Sequence, residues 1–280
     1  RYKYKSELLN RRPDWPSILS KLFLPEVFNE CIPNKLQEKR PIRVLSLFDG
    51  ISTGKVVLDK LNIEIDLYFA SEIDEDAINV SKLNFGDSIV RFKDIRQIDE
   101  NLIKSILPID LVIGGSPCNE LSAVNPNRKG IYDLTGTGPL FFEFFRILET
   151  VRRNQPDHCI LWMFENVTSM NRETKEIIDR FFGCNPAVWD AYHFSPQHRP
   201  RYFWGNIPGM HYPPSNYRKM DGLSLELKDS ILKNFNREAK VSKIRTITTV
   251  SNSLTIKSRD KEPPILMNGV NSNIWVTELE

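Results

Sequence analysis

The sequence predicts an α/β fold, a doubly wound and mostly parallel sheet of Rossmann-like type. Three observations carry that prediction. Strand-like apolar runs alternate with segments whose apolar positions recur at helical spacing, and such alternation builds a parallel sheet covered on both faces. A glycine turn, Asp49-Gly50, joins the first run to the first helical segment. Polar motifs follow the strand ends, where ligands of open α/β sheets bind.

Residues 1–40 carry scattered Pro, Asn and charge with short apolar stretches such as Ile18–Leu24, and read as a lead-in arm. The first strand, Arg43–Phe48, is β-rich and closed by Asp49-Gly50, and Thr53–Leu61 then shows helical spacing. The unit recurs as Asp66–Ala70 with Ala77–Leu83 and as Ile89–Phe92 with Leu102–Leu107, before Asp110–Ile113 leads into a long polar loop. Phe141–Val151 is a helix, Cys159–Phe164 a fifth buried strand and Ile177–Phe182 a shorter helix; Ala187–Tyr192 and Arg201–Gly205 close the sheet. These elements make 41–205 the core. Pro208, Gly209, Pro213 and Pro214 break the pattern, so 206–265, polar and Lys-rich with one helical segment at Ser224–Leu232, is an insertion or small second lobe. Residues 266–280 are expected to return to the core.

No apolar run approaches the roughly 20 residues of a membrane span, and Arg1-Tyr2-Lys3-Tyr4-Lys5 has no apolar signal core, so a soluble intracellular chain without a membrane partner is expected. Cys31, Cys118, Cys159 and Cys184 lie far apart without a Cys-x-x-Cys pair, which suggests neither a zinc cage nor a secreted disulfide framework. Lys and Arg (38) nearly balance Asp and Glu (36), so any nucleic-acid surface must be local.

The chemistry gathers at the strand ends. Phe48-Asp49-Gly50-Ile51-Ser52-Thr53-Gly54 lets backbone approach a ligand, yet matches neither Gly-x-Gly-x-x-Gly nor a phosphate loop. Glu72 ends the second strand, where an acid accepts both hydroxyls of a ribose, and Asp94 follows the third, placed to accept from a purine amine. Ribose and adenine without a phosphate grip describe an adenosyl cofactor, of which S-adenosylmethionine is the commonest. The fourth strand ends in Gly114-Gly115-Ser116-Pro117-Cys118-Asn119, which predicts an exposed, rigidly held cysteine positioned to attack as a thiolate. Cys159, inside its strand, reads instead as an inert small hydrophobe. Glu165 emerges from an apolar run, where desolvation suits a proton donor. His198-Arg199-Pro200-Arg201 adds two guanidinium groups that alternation can put on one side, fit to grip a phosphate or a base edge.

With these residues assembled, the chain resembles the DNA (cytosine-5) methyltransferases, specifically the animal de novo class. The likeness covers about residues 12–280 and rests on 40–51, 110–119, 140–144, 164–167 (Phe-Glu-Asn-Val) and 201–206 (Arg-Tyr-Phe-Trp-Gly-Asn). It implies that Cys118 adds to carbon 6 of a cytosine, that Glu165 protonates or hydrogen-bonds ring nitrogen 3, and that Arg201 holds the base, Arg199 standing beside it. The base must be flipped from the duplex at a few kcal/mol. Cofactor contacts implied in the same way are Phe48, Asp49, Gly50, Thr53, Glu72, Ile73, Asp94, Ile95, Asn119 and Leu140. Arg245, Thr249, Val250, Ser251 and Asn252 fall in the segment resembling the target-recognition loop, and Phe142 and Phe181 match an aromatic subunit contact, implying a homo- or hetero-oligomer. Double-stranded DNA is the implied partner, the nucleus the implied address, and chromatin contacts are expected from upstream reader domains.

The sequence departs from the family in three places. Members continue past the position of Glu280 with a segment containing Ser-Trp that closes over the cofactor, so a piece of a longer enzyme with weak cofactor binding is expected. Val250 stands where a basic residue is usual, and valine cannot bond a guanine edge, so a CpG preference does not carry over. The turn Gly136-Thr137-Gly138-Pro139 is longer than usual. An inert accessory relative would lack Pro-Cys or Glu-Asn-Val, both kept here. A transfer-RNA cytosine methyltransferase would show Cys-Phe-Thr, which is absent, and a nucleotide-dependent oxidoreductase is disfavoured by the first glycine loop.

Overall fold

The computed structural model describes residues 40–193, 195–211, 226–230, 237–246 and 265–267. Apolar runs form β1 (Ile42–Leu47), β2 (Ile65–Ser71), β3 (Ile89–Phe92), β4 (Leu111–Gly114) and β5 (Leu161–Val167). Among them lie α1 (Thr53–Lys60), α2 (Glu75–Phe85), α3 (Glu100–Ile106) and α4 (Leu140–Asn154); α5 (Arg172–Phe182), β6 (Ala187–Asp190), β7 (Gln197–His198) and β8 (Pro200–Gly205) follow. One seven-stranded sheet has the order β3-β2-β1-β4-β5-β8-β6, and β1 to β5 pair in parallel. This is the doubly wound α/β architecture that the alternation predicts.

Period-two alternation splits each central strand between two cores. Leu45, Leu47, Phe69, Val112, Trp162 and Phe164 pack with Ile103, Ile106, Phe141, Phe144 and Ile147 of α3 and α4. Val44, Tyr68, Ala70, Leu111 and Ile113 pack on the other face with Leu58 of α1. Burial on both faces explains why these strands read as near-continuous apolar runs.

Caps account for helices longer than their apolar periods. Asp74 accepts from the Asp76 and Ala77 amides and starts α2 ahead of Ala77. Asn171 accepts from the Thr174 amide at 2.8 Å, and the pairs Arg172–Glu176 and Lys175–Asp179 support a polar first half of α5 that carries no apolar signal. β5 also differs from expectation, starting at Leu161, whose amide bonds the Asp110 carbonyl at 2.9 Å, and running on through Glu165 and Asn166. Cys159 therefore lies before the strand and not within it. The stretch expected to end in strand to Tyr192 turns at Ala191–His193 into a short 3-10 helix.

The described residues fall into two units, one within 1–187 and 202–212, the other within 188–201 and 213–280. The second contains α6 (Leu227–Ser230), β9 (Arg237–Ala239), β10 (Ile244–Arg245) and β11 (Ile265–Met267). β10 pairs in parallel with β7, and β11 runs antiparallel to β9. Buried Leu227 and Ile244 form its small core. The arm before Arg40 and nearly all of 266–280 lie outside the described residues.

At the amino-terminal end of β4, Asp110 is a buried anchor. It accepts from Arg40, from the Arg43 amide at 2.8 Å and bonds His158 Nε2 at 2.7 Å. Burial pushes its carboxyl up, but these partners outweigh it and hold the group below the usual aspartate range. Its stabilisation is therefore complete above the unfolded-state pKa of about 4 and is lost as pH falls through the lower folded value. Asp110→Asn is expected to lower the unfolding free energy by about 1–3 kcal/mol near pH 7, with the gap to wild type closing below about pH 4. Urea titrations at neutral and acid pH check both the size and the sign.

Candidate active site

The strand registers align Phe92, Ser71, Leu47, Gly114 and Phe164 in one row across the sheet. The residues that follow each of them therefore share one edge, with adjacent strands about 4.8 Å apart. Strand order reverses between β1 and β4, which opens a crevice at the carboxyl ends in the middle of the row.

The loop leaving β1 is strained. Phe48, Gly50 and Ser52 have φ of 57°, 57° and 66°, and two of the three carry a Cβ that disfavours this region. Asp49 accepts hydroxyl bonds from Ser46, Ser52 and, at 2.8 Å, Tyr68. Glu72 accepts from the amides of Gly50 and Ile73, both at 2.8 Å, and of Asp74 at 2.9 Å. These fill three of a carboxylate's roughly four acceptor directions and leave one for a further donor. The space beside Gly50 is open, since a methyl built there meets no atom within 4 Å, and Ile51, Thr53 and Ile73 are exposed around it. An acid beside an open, glycine-floored loop fits the ribose of an adenosyl group. Asp94 has a partner already: its carboxylate takes the Arg96 amide at 3.0 Å and guanidinium at 2.6 Å, which hold it below the usual range. Water screens that ion pair at an exposed Arg96, so exchange for another donor costs little. Ile95, next to it, is buried.

Glycine is required where β4 ends. A methyl on Gly114 would stand 2.2 Å from the Leu47 carbonyl oxygen, and one on Gly115 would stand 2.8 Å from both the carbonyl oxygen and Oε2 of Glu165. The exit from β4 thus threads between the ends of β1 and β5. Buried Asn166 donates to the Ser116 carbonyl at 3.1 Å, and the Cys118 carbonyl accepts from the Leu121 and Ser122 amides at 3.0 and 2.8 Å. The loop is pinned on both sides of Cys118 and drawn onto the core, so the thiol expected to be exposed is half-buried. Asn119, the next residue, is exposed. Asn166 and Tyr68 are the residues to which the sequence assigned no role. Their signal was a polar group inside an apolar strand, which needs a partner when buried.

The family model of C-5 cytosine-specific DNA methylases matches residues 42–260. The chain belongs to this family. DNA (cytosine-5)-methyltransferase DRM1 of Arabidopsis thaliana is 38% identical over 125 residues, 40% of this chain and 19% of its own. Orphan methyltransferase M.Rho11sI of Bacillus phage rho11s is 35% identical over 135 residues, 48% of this chain and 24% of its own. Type II methyltransferase M1.ScrFI of Lactococcus lactis subsp. cremoris is 30% identical over 183 residues, 63% of this chain and 44% of its own. The chain thus spans less than half the length of these relatives. C-5 cytosine methylases take their methyl group from S-adenosylmethionine.

Within the methylase fold, Leu140 opens α4, its amide bonded to the Thr137 carbonyl at 3.1 Å. Phe142 and Phe181 meet edge to face with centroids 5.2 Å apart, and Tyr132 stacks on Phe142 at 5.6 Å. Tyr132, Phe145, Ile177, Arg180 and Phe181 line an open groove of about 480 Å³. Arg199 and Arg201 belong to the second unit, where the Arg199 amide bonds Asp190 at 2.8 Å and the Arg201 guanidinium bonds the Pro200 carbonyl at 2.8 Å. Arg245 is exposed on β10, while Thr249, Val250, Ser251 and Asn252 lie outside the described residues. Gly115→Ala is expected to lower stability by about 1–3 kcal/mol, because Glu165 has to shift. Gly114→Ala, aimed at backbone that cannot yield, is expected to lower it further, and thermal unfolding of the two variants ranks them.

Proposed function

We propose that this chain carries the catalytic part of a DNA cytosine-5 methyltransferase of the animal de novo type, acting on unmethylated duplex through a covalent Cys118 adduct. The observation that supports this reading most is the contact of Gly115 with Glu165, which brings the loop leading to Cys118 beside the carboxylate on the edge that also carries Glu72 and the Phe48–Ser52 loop. S-adenosylmethionine supplies an electrophilic methyl group when bound. Phe48, Gly50, Thr53, Glu72, Ile73, Asp94, Ile95, Asn119 and Leu140 are the residues that would hold it.

The Cys118 thiolate adds to carbon 6 of an extruded cytosine while Glu165 gives a proton or hydrogen bond to nitrogen 3. The electron pair released to carbon 5 would take the methyl group as the methyl–sulfur bond of the bound donor breaks and its electrons stay on sulfur, and loss of the carbon 5 proton to a base would then expel the thiolate. Arg199 and Arg201 hold the base or its phosphate, and Arg245 with Thr249, Val250, Ser251 and Asn252 contacts the duplex. Action on chromosomal DNA makes the nucleus the working compartment, with chromatin contacts supplied by sequence upstream.

With labelled S-adenosylmethionine and unmethylated duplex, wild type is expected to label cytosine and Cys118→Ala to label none, while Glu165→Gln loses about 100-fold or more in kcat. A duplex carrying 5-fluorocytosine, which has no carbon 5 proton to lose, is expected to trap wild type covalently and leave Cys118→Ala free. Labelling by Cys118→Ala at the wild-type rate removes the thiol from the mechanism. Failure of wild type to label, together with stimulation of an active methyltransferase, supports the accessory-subunit reading instead. Phe142 and Phe181 are proposed as a subunit contact, since Phe181 is 41% exposed in an aromatic cluster. Phe181→Asp is expected to shift sedimentation toward monomer.

A further inference from the structure

We infer that Tyr68 is a positioning residue for the cofactor, acting through Asp49. This deepens the methyltransferase reading and rests on it. Tyr68 is fully buried within β2, and its hydroxyl donates to Asp49 Oδ1 at 2.8 Å. Ser46 donates to the same oxygen and Ser52 to Oδ2, so one carboxylate ties together β1, β2 and the N-cap of α1. Ser52 and buried Ser81 share a further bond at 2.6 Å, and Arg91 donates to Ser81 at 3.1 Å, which extends the chain to α2 and β3.

The loop needs such an anchor. Phe48 and Ser52 flank Asp49 and Gly50 with left-handed backbone, a state worth about 1–3 kcal/mol of strain at each residue with a side chain. Only an over-determined surrounding keeps it populated. The three hydroxyls face inward, so the Asp49 carboxylate turns toward the core side of the loop while the Gly50 side stays open. Asp49, expected as a direct cofactor contact, therefore acts by shaping the loop that Gly50 and Glu72 complete. Burial and the neighbouring Asp49 charge push the Tyr68 phenol up, which keeps it a donor at any working pH.

Tyr68→Phe keeps the buried ring and removes only the hydroxyl. It is expected to raise the Kd for S-adenosylmethionine about tenfold by calorimetry, to raise KM for the cofactor alike, and to leave kcat at saturating cofactor and the Kd for duplex within about twofold. Ser46→Ala, which removes a second donor to the same oxygen, is expected to do the same and serves if Tyr68→Phe fails to fold. An unchanged cofactor Kd in whichever variant folds overturns the proposal, as does an equal loss of cofactor and DNA affinity, which marks general destabilisation. Asp49→Asn with weakened binding beside a Tyr68→Phe of wild-type affinity assigns Asp49 a direct contact instead. No cofactor binding by the wild-type full-length enzyme overturns the methyltransferase reading itself, a result distinct from all of these.

Discussion

The site depends on the absence of two side chains. Gly114 passes the Leu47 carbonyl so closely that a methyl would sit 2.2 Å from it, and one on Gly115 would sit 2.8 Å from Glu165. Three parallel strands can bring their ends together at this depth only if the middle one leaves without a Cβ. Given that, the next residues have little freedom. Asn166 bonds Ser116 from beneath, and Cys118 opens a turn that closes over Leu121 and Ser122. The thiol's location thus follows from sheet register and steric exclusion, before any chemistry is asked of it.

Charge in this fold is managed by enclosure. Asp49 and Asp110 occupy opposite ends of the central strands, and each takes donors from separate elements. Asp110, the buried one of the two, stabilises only while its partners stay, because an orphaned buried carboxylate costs several kcal/mol. Glu72 and Asp94 differ. Their partners are mainly backbone amides or an exposed guanidinium, and an acceptor direction or an exchangeable partner remains on the open side. Asp49 and Asp110 hold the frame through side-chain donors from several elements, and Glu72 and Asp94 keep capacity for a further donor.

Alternation of apolar runs made the sheet and its winding legible, because burial on both faces leaves a periodic record in sequence. Strand ends could be read as ligand edges for the same reason. Boundaries were less visible where polar residues do structural work: the first half of α5 is set by Asn171 and ion pairs, and β5 continues through Glu165 and Asn166. The half-burial of Cys118 was hidden because it arises from contacts distant in sequence, the packing of Cys118 on the core and the bond from Asn166 to Ser116. Tyr68 left only the general signal of a polar group inside an apolar strand, and which acid it and Ser52 bond is set by the fold and not by their neighbours in sequence.

Phe141 touches Phe142, Phe164, Phe181 and Phe182 within 5.1–5.7 Å, so a single ring joins the aromatic surface to the residue preceding Glu165. Natural variation at that surface is consequently not neutral toward the interior. A lineage that alters the residues of this face must retune the packing behind the carboxylate in the same steps, and changes there should arrive as compensated sets of aromatic exchanges instead of isolated ones.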